Sequence, residues 1–218
     1  MKRVLPLILI SLSFSINAQL LFEDVAASKG VGVTYGSGLF GGGISFCDFD
    51  NDGWDDLTIS SESGEDIKVF KNNNGSFQLV SMPFTETFQT KQIIWVDIDN
   101  DGDRDFHAVS YDNVNVLYRN DGNNQFTNIS SSSGLFLNNL YSSGASWGDY
   151  NNDGYLDVFI SNLDNIDQSQ RNYLYKNNRN NTFVDVTESV GIDIDNNLTF
   201  CAAFFDYDND GDQDIYSK

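Results

Sequence analysis

A nine-residue acidic pattern, Asp-x-Asp/Asn-x-Asp-Gly-x-x-Asp, occurs four times in this chain of 218 residues. The copies occupy residues 48–56, 97–105, 149–157 and 206–214, and their first positions are 49, 52 and 57 residues apart. A constant spacing near fifty residues is typical of repeat architectures and not of unrelated loops. We therefore expect one structural unit to recur along the chain.

Each copy can bring several oxygen ligands to one point. Side-chain oxygens at positions 1, 3 and 5 converge, the backbone carbonyl of position 7 adds a ligand, and the carboxylate at position 9 closes the shell. Calcium accepts about six to eight such oxygens, and the constant glycine at position 6 suits a backbone conformation that other residues disfavour. The pattern therefore predicts up to four Ca²⁺ sites, with the ligands Asp48, Asp50, Asp52, Trp54, Asp56, Asp97, Asp99, Asp101, Asp103, Asp105, Asp149, Asn151, Asp153, Tyr155, Asp157, Asp206, Asp208, Asp210, Asp212 and Asp214.

Other interpretations of the pattern explain less. An EF-hand needs an acidic residue at position 12, which here is Ile59, Ala108, Ile160 or Ser217. A plain hairpin turn also uses Asn, Asp and Gly, but it does not require acids at positions 1, 5 and 9, which repel by about 1 kcal/mol per close pair even in water. Magnesium prefers to keep its waters. Zinc lacks its usual ligands, because the chain has one histidine and two cysteines.

The four loops differ in charge. The first, second and fourth carry five acids each, whereas the third carries only Asp149, Asp153 and Asp157. Calcium affinity follows the charge of the ligands. We therefore predict that the third site is the weakest.

The flanks of the loops repeat as well. An aromatic residue lies two positions before each loop and a smaller apolar residue lies four before it, which predicts a strand with one buried face. Short β-prone segments follow each loop, and further apolar segments occur at 69–72, 117–120 and 174–177 and at 77–80, 126–129 and 183–186. Four short strands in about fifty residues are typical of one propeller blade. The aromatic and apolar residues are Phe46, Trp95, Trp147 and Phe204, and Ile44, Ile93, Ala145 and Ala202.

These units predict an all-β fold, a β-propeller of four-stranded blades with the calcium loop between the first and second strand of each blade. Residues 22–25 repeat the fourth strand without the preceding three, and Lys218 falls in the second strand of the fourth unit. We therefore expect residues 19–218 to hold about three full blades and two part-blades, as a propeller truncated at its C-terminus. The missing strands would lie beyond Lys218.

The repeats resemble the FG-GAP/VCBS repeats of integrin-α-like β-propellers. The resemblance rests on the segments 144–157, 172–177 and 183–192 and extends over about residues 21–218. Within that family the repeats also resemble those of secreted calcium-loop propellers related to cartilage acidic protein, although no ASPIC/UnbV segment is found in these residues. The resemblance implies calcium between the first and second strands of a blade, partners on the opposite face, and a ring larger than this chain can form.

The N-terminus predicts export. Positive Lys2 and Arg3, an apolar run of 13 residues from Val4 to Ile16, and small Ala18 are typical of a secretory signal peptide over residues 1–18, cut after Ala18; a buried first strand is the alternative. No other segment could cross a bilayer. We expect a secreted or cell-surface protein.

The net charge of the chain limits the classes of partner that it can bind. The net charge is −20, and the loops contain 18 of the 32 acids. Nucleic acid is excluded as a partner because its binding needs clustered Lys and Arg. For Cys47 and Cys201, export permits a disulfide, but we favour two buried free thiols, since cysteine is among the residues most often buried.

Two functions remain. The first is a non-catalytic, calcium-stabilised scaffold for binding or adhesion, with an unidentified extracellular protein or glycan as its ligand. The alternative is a secreted enzyme, a lyase or hydrolase, whose active site lies in missing blades. His107 is the only imidazole in the chain, and strand alternation favours a packed residue there over a catalytic base. We expect no enzymatic activity.

Overall fold

The structure is a computed structural model that describes residues 22–33, 41–135, 141–163, 171–192 and 198–218. Within these ranges the chain forms fourteen β-strands and one short 3-10 helix, Ala27–Lys29. The strands are β1 Ile44–Cys47, β2 Asp56–Ile59, β3 Lys68–Asn72, β4 Phe77–Val80, β5 Thr90–Val96, β6 Asp105–Ser110, β7 Val116–Asn120, β8 Phe126–Asn128, β9 Ser142–Gly148, β10 Asp157–Asn162, β11 Tyr173–Asn177, β12 Phe183–Asp185, β13 Ala202–Phe205 and β14 Asp214–Ser217.

The strands form consecutive antiparallel sheets. The first sheet (β1–β4), the second (β5–β8) and the third (β9–β12) have four strands each, in chain order, and β13 and β14 form a two-stranded sheet. The register repeats, because the aromatic residue before each loop pairs with the residue after position 9, as in Trp95 with Phe106 and Trp147 with Val158. The prediction of an all-β fold with four strands per repeat is confirmed, and its sheets have the form of propeller blades.

Apolar residues fill the spaces between neighbouring sheets. Between the first and second sheets, Phe49 stacks on Trp95 with ring centroids 4.9 Å apart, and Trp95 also contacts the buried ring of Phe106. Between the second and third sheets, Val109 and Val158 belong to one buried cluster. Because the second sheet is covered on both faces, every residue of β6 is buried. This packing holds the loops of successive sheets side by side.

The beginning of the described chain departs from expectation. Residues 22–25, predicted as an isolated fourth strand, form no strand, and Phe22 is 90% exposed. A strand needs a hydrogen-bonded partner, and within the described ranges residues 22–25 belong to none of the sheets. Gly30 instead lies so close to the carbonyl of Phe77 in β4 that an added Cβ would be 2.2 Å from its oxygen.

The face predicted to be buried in the first strand is also exposed. Ile44 is 65% exposed and Phe46 is 62% exposed, although the equivalent Trp95 is buried. Trp95 is buried because the first sheet covers it. The predicted signal peptide over residues 1–18 lies outside the described residues. No helix in the described ranges is both long and apolar enough to span a membrane.

The two cysteines are both free. Cys47 is half-buried at the end of β1, whereas Cys201 is exposed just before β13. The prediction of two buried free thiols is therefore right about bonding but wrong about burial, since Cys47 is only half-buried and Cys201 is exposed. The reason for the exposure of Cys201 is that β13 belongs to a two-stranded sheet, whose strands are only partly covered.

Candidate metal centre

Each acidic pattern forms the connection between the first and second strands of its sheet. The aspartate at position 9 is the first residue of β2, β6, β10 or β14. The backbone turns through the left-handed region at the glycine of position 6 and at an asparagine at position 4, which tolerates that region better than most residues. The φ values lie between 55° and 61° for Asn51, Asn100, Asn152 and Asn209, and between 86° and 96° for Gly53, Gly102, Gly154 and Gly211.

Sequence reasoning missed the asparagine at position 4, whose constancy in all four copies was the available signal. Its side chain connects neighbouring loops. Asn51 Nδ2 donates to the carbonyl of Gly102 at 3.3 Å, and Asn100 Nδ2 donates to the carbonyl of Gly154 at 2.7 Å. The first three loops are therefore joined to one another, and their positions depend on the packing of the sheets.

The acids at positions 1 and 5 shape the loop. In the first loop Asp48 accepts the backbone N–H groups of Asp52 at 2.9 Å and of Gly53 at 2.8 Å. Asp52 accepts the N–H of Trp54 at 3.0 Å. The position 1 bond to the glycine N–H and the position 5 bond recur in the other three loops. These bonds direct the carboxylates towards the inside of the loop.

The acid at position 9 joins the loop to the rest of its sheet. Asp105 is 1% exposed, and it accepts the N–H of Ile98 at 2.8 Å and the N–H of Asn120, the last residue of β7, at 2.7 Å. Asp56 and Asp157 accept the N–H of Asn72 and Asn177 in the same way, at 2.7 and 2.8 Å. A carboxylate has about four lone-pair sites, so this acid can hold the scaffold and still face a cation.

The structure brings the predicted acids together in three loops. Carboxylate oxygens lie within 4.8 Å of one another in the groups Asp48–Asp50–Asp56, Asp97–Asp99–Asp101 and Asp206–Asp208–Asp210. In the third loop Asn151 replaces an acid, and its Nδ2 donates to Asp157 at 3.0 Å. One donor of this amide is thus used inside the loop, and this loop offers fewer anionic oxygens to a cation.

Several of these oxygens have no donor. Within the described part of the chain, the Oδ1 atoms of Asp50, Asp97 and Asp99 are buried and have no hydrogen-bond partner. A buried anionic oxygen without a partner is strongly unfavourable, so the sites are chemically suited to a hard cation. Of the position 9 acids, Asp56 belongs to such a converging group, together with Asp48 and Asp50.

Burial and crowding change the acidity of these groups. Burial raises the pKa of Asp105 to about 7 and that of Asp157 to about 6, despite the N–H groups that they accept. Burial also raises the pKa of Asp99, and the neighbouring carboxylates of Asp101 and Asp97 add to the effect. The protein without metal therefore holds its negative charges at a free-energy cost, which a bound cation would offset.

Basic side chains from the third strands and the turns after them lie near the loops. The Lys71 ammonium contacts Asp50 and lies 3.0 Å from Asp52. In the third loop, Arg179 is 3.1 Å from Asp153. The hydrogen bond from Lys71 lowers the pKa of Asp52. Sequence reasoning did not anticipate these pairs, because the residues are 19 to 26 positions apart in the chain.

His107 is enclosed between the second and third sheets. It is 0% exposed, its Nδ1 accepts the Nε1–H of Trp147 at 3.2 Å, and burial lowers its pKa to about 4. The residue considered as a catalytic base is thus a neutral core residue of the second sheet.

A polar groove lies at the other end of the strands from the acidic loops. It has a volume of about 640 Å³ and is lined by the connections β2–β3, β4–β5 and β6–β7, including Glu86, Asp112 and Asn113. Antiparallel order puts these connections opposite the β1–β2 and β5–β6 loops. The groove is open and carries both hydrogen-bond donors and acceptors.

The repeat is also recognised in comparisons with known proteins. The family model described as an FG-GAP-like repeat matches residues 48–108, 97–160 and 161–217. The matched ranges begin with the first acidic loop and continue almost to the end of the chain. No curated protein matches the chain.

Proposed function

Because this chain belongs to the FG-GAP-like repeat family, we propose that it is a calcium-binding repeat protein that acts outside the cell as a non-catalytic binding scaffold. The observation that carries the proposal is the repeated acidic loop, in which carboxylates converge and buried oxygens of Asp50, Asp97 and Asp99 lack a donor. The same left-handed backbone turn at positions 4 and 6 occurs in all four loops.

Calcium would supply positive charge at the point where the carboxylates repel. In each loop the side chains at positions 1, 3, 5 and 9 would hold the ion, together with the position 7 carbonyl; position 3 is an acid except in the third loop, where it is Asn151. The acid at position 9 would connect the ion to the third strand through its bond to the final asparagine, as Asp105 does with Asn120. A ligand that binds only the folded state stabilises it by mass action, and extracellular modules bind calcium at about 10⁻⁴–10⁻³ M.

The ligand surface that we propose is the polar groove at the opposite end of the sheets. It joins the first and second sheets, it is large enough for several sugar rings or a peptide segment, and most of its lining residues lie in connections between strands. Connections that a rigid scaffold positions often carry binding residues. The partner class is an extracellular protein or a glycan. Calcium at the far end would stiffen the sheets that hold the groove.

The decisive experiment measures metal content and thermal stability together. The purified chain, freed of metal with EDTA, is dialysed against 1 mM calcium, and bound metal is measured by plasma mass spectrometry while unfolding is followed by circular dichroism. We expect up to four calcium ions per chain and a rise in Tm that sodium at the same ionic strength does not reproduce. A variant with Asp97→Asn and Asp99→Asn should lose one ion. An unchanged Tm together with no bound calcium would refute the proposal.

Export is tested separately. The complete chain is expressed with residues 1–18 in a secreting host, and the N-terminus of the protein in the medium is sequenced. We expect the mature chain to begin at Gln19. Retention in the cell, or secretion with Met1 still present, would contradict the extracellular part of the proposal without affecting calcium binding.

A further inference from the structure

A lysine side chain of the protein itself contacts the carboxylates of the first acidic loop. The Lys71 ammonium, from β3, contacts the carboxylate of Asp50 and lies 3.0 Å from Asp52, the acids at positions 3 and 5. The Asp50 side chain is only 9% exposed. Its other oxygen, Oδ1, is buried without a hydrogen-bond partner. Asp50 also belongs, with Asp48 and Asp56, to the group whose ligand atoms lie within 4.8 Å of one another. The ammonium is thus bound by two of the oxygen donors that a metal ion would use.

The equivalent residues of the next two repeats are arranged differently. Arg119 occupies the same position in β7, but its Nε donates to Asp121 at 2.6 Å, outside the second loop. Lys176 occupies the position in β11, and it is 40% exposed and 3.9 Å from Asp153. The same strand position therefore carries a cation in all three repeats, and only in the first does the cation contact both of these acids. This difference between repeats is a property of the individual loops and not of the repeat pattern.

We propose that Lys71 is a built-in counter-ion of the first loop, which a divalent cation must displace in order to bind there. The inference rests on the proposed function, since it concerns how the same loop takes up calcium. One ammonium cannot satisfy Asp48, Asp50, Asp52 and Asp56 together, so the exchange for a doubly charged ion is favourable, but it is opposed by the loss of the lysine contacts. The first loop should therefore bind calcium more weakly than its five acids alone would indicate.

The expected effect follows from the exposure of the pair. Lys71 is 31% exposed and Asp52 is equally exposed, and partly exposed ion pairs are weak. With two carboxylates involved, removal of the ammonium by Lys71→Met should tighten calcium binding at the first loop by about tenfold, which corresponds to about 1.4 kcal/mol. The matched control is Arg119→Met, which removes a cation from the same strand position in the second repeat. This variant should change the calcium affinity of the first loop by less than about twofold.

Trp54 allows the first loop to be observed by itself. It occupies position 7 of that loop and is 46% exposed, whereas the other loops have Asp103, Tyr155 and Asp212 at this position. Tryptophan emission is titrated with calcium in the parent chain, in Lys71→Met and in Arg119→Met. The same titrations in a Trp54→Phe background measure the contribution of the other tryptophans, and equilibrium dialysis gives the number of ions bound.

A second measurement follows the ammonium itself in the unmodified protein. Amine acetylation, quantified by peptide mass spectrometry, should be slow at Lys71 in EDTA and faster at saturating calcium. Lys68 is the internal control, because it lies in the same strand and its pair is with Glu65 at 4.0 Å. Its labelling should not respond to calcium.

The outcomes are distinct. Tighter binding in Lys71→Met, with calcium-dependent labelling of Lys71 and constant labelling of Lys68, supports the proposal. Equal or weaker binding in Lys71→Met, or Lys71 labelling that calcium does not change while Trp54 reports a filled loop, overturns it and leaves the calcium function intact. If dialysis shows no bound calcium at any loop, the proposed function fails, and this inference fails with it.

Discussion

The buried imidazole of His107 should make the stability of this protein fall between pH 6.5 and 4. Its ordinary pKa is 6.5, and burial lowers the pKa to about 4 in the folded protein. In the folded state Nδ1 accepts the Nε1–H of Trp147, so Nε2 carries the ring proton and further protonation must break the bond. The adjacent cavity is lined by Asn115, Ser130 and Ser133, none of which carries a charge that could stabilise an imidazolium.

The direction and size of this pH effect on the free energy of unfolding follow from the difference in the His107 pKa between the unfolded and folded states. Above pH 6.5 both states hold a neutral His107, so the residue adds no pH dependence. As the pH falls through 6.5, His107 becomes protonated in the unfolded chain but stays neutral in the folded protein until about pH 4. The free energy of unfolding therefore decreases over this range. The difference in pKa amounts to a loss of about 3 kcal/mol at pH 4. Below that value both states are protonated and the loss ends.

The assay is urea unfolding at several pH values between 7.5 and 4, in EDTA, for the parent chain and for His107→Gln. Glutamine is neutral throughout, and its side-chain oxygen can accept the Trp147 bond. The carboxylates titrate in both proteins, so the difference between the two curves isolates His107. We expect the parent chain to lose about 3 kcal/mol more than the variant. Parallel curves over the whole range would refute the buried, neutral imidazole.

Three further predictions test the packing and the loops. Gly134→Ala should lower the free energy of unfolding by more than about 1 kcal/mol relative to Gly191→Ala. Both glycines have a positive φ, but of the two only Gly134 would bring an added Cβ to 2.5 Å from the Phe183 carbonyl oxygen. Chemical denaturation of both variants measures the difference, and equal losses would contradict it. Trp95→Phe should cost about 1 kcal/mol, since it removes the Nε1–H bond of 3.0 Å to the Thr58 hydroxyl, and thermal unfolding at saturating calcium measures that loss; an unchanged Tm would argue against the bond. In calcium titrations, Asp153→Ala should leave the tightest site intact, because the third loop has the fewest acids, and loss of the tightest site would show the affinity order to be wrong.

Local sequence carried most of the information about strands and loops. The alternation around Trp95 and Trp147, and the acidic loops that follow them, predicted the hairpins that the structure forms as β5–β6 and β9–β10. The segments predicted as third and fourth strands are β3 and β4, β7 and β8, and β11 and β12. These predictions succeed because side-chain alternation and turn chemistry act between residues close together in the chain.

Contacts between distant residues were beyond the same reasoning. The bond from Asn100 to Gly154, the double acceptance by Asp105, and the ion pair of Lys71 with Asp50 each join segments that the fold brings together. The exposure of Phe46 likewise depends on which sheet covers a face and not on the strand that carries it. The type of a residue determines which hydrogen bonds and ion pairs it can form, but the packing of the sheets determines which partner it meets.

The amino-acid sequence by itself determined the repeat, the strand order within each sheet and the acids available to a cation. The repeat shows in the recurrence of one pattern about every fifty residues, and the other two follow from patterns over a few residues. Only the tertiary structure decided which carboxylate oxygens converge, which of them have a donor already, and which loop contains a lysine. Those properties depend on distances of a few ångströms between chain segments, and such distances are set when the sheets pack against one another.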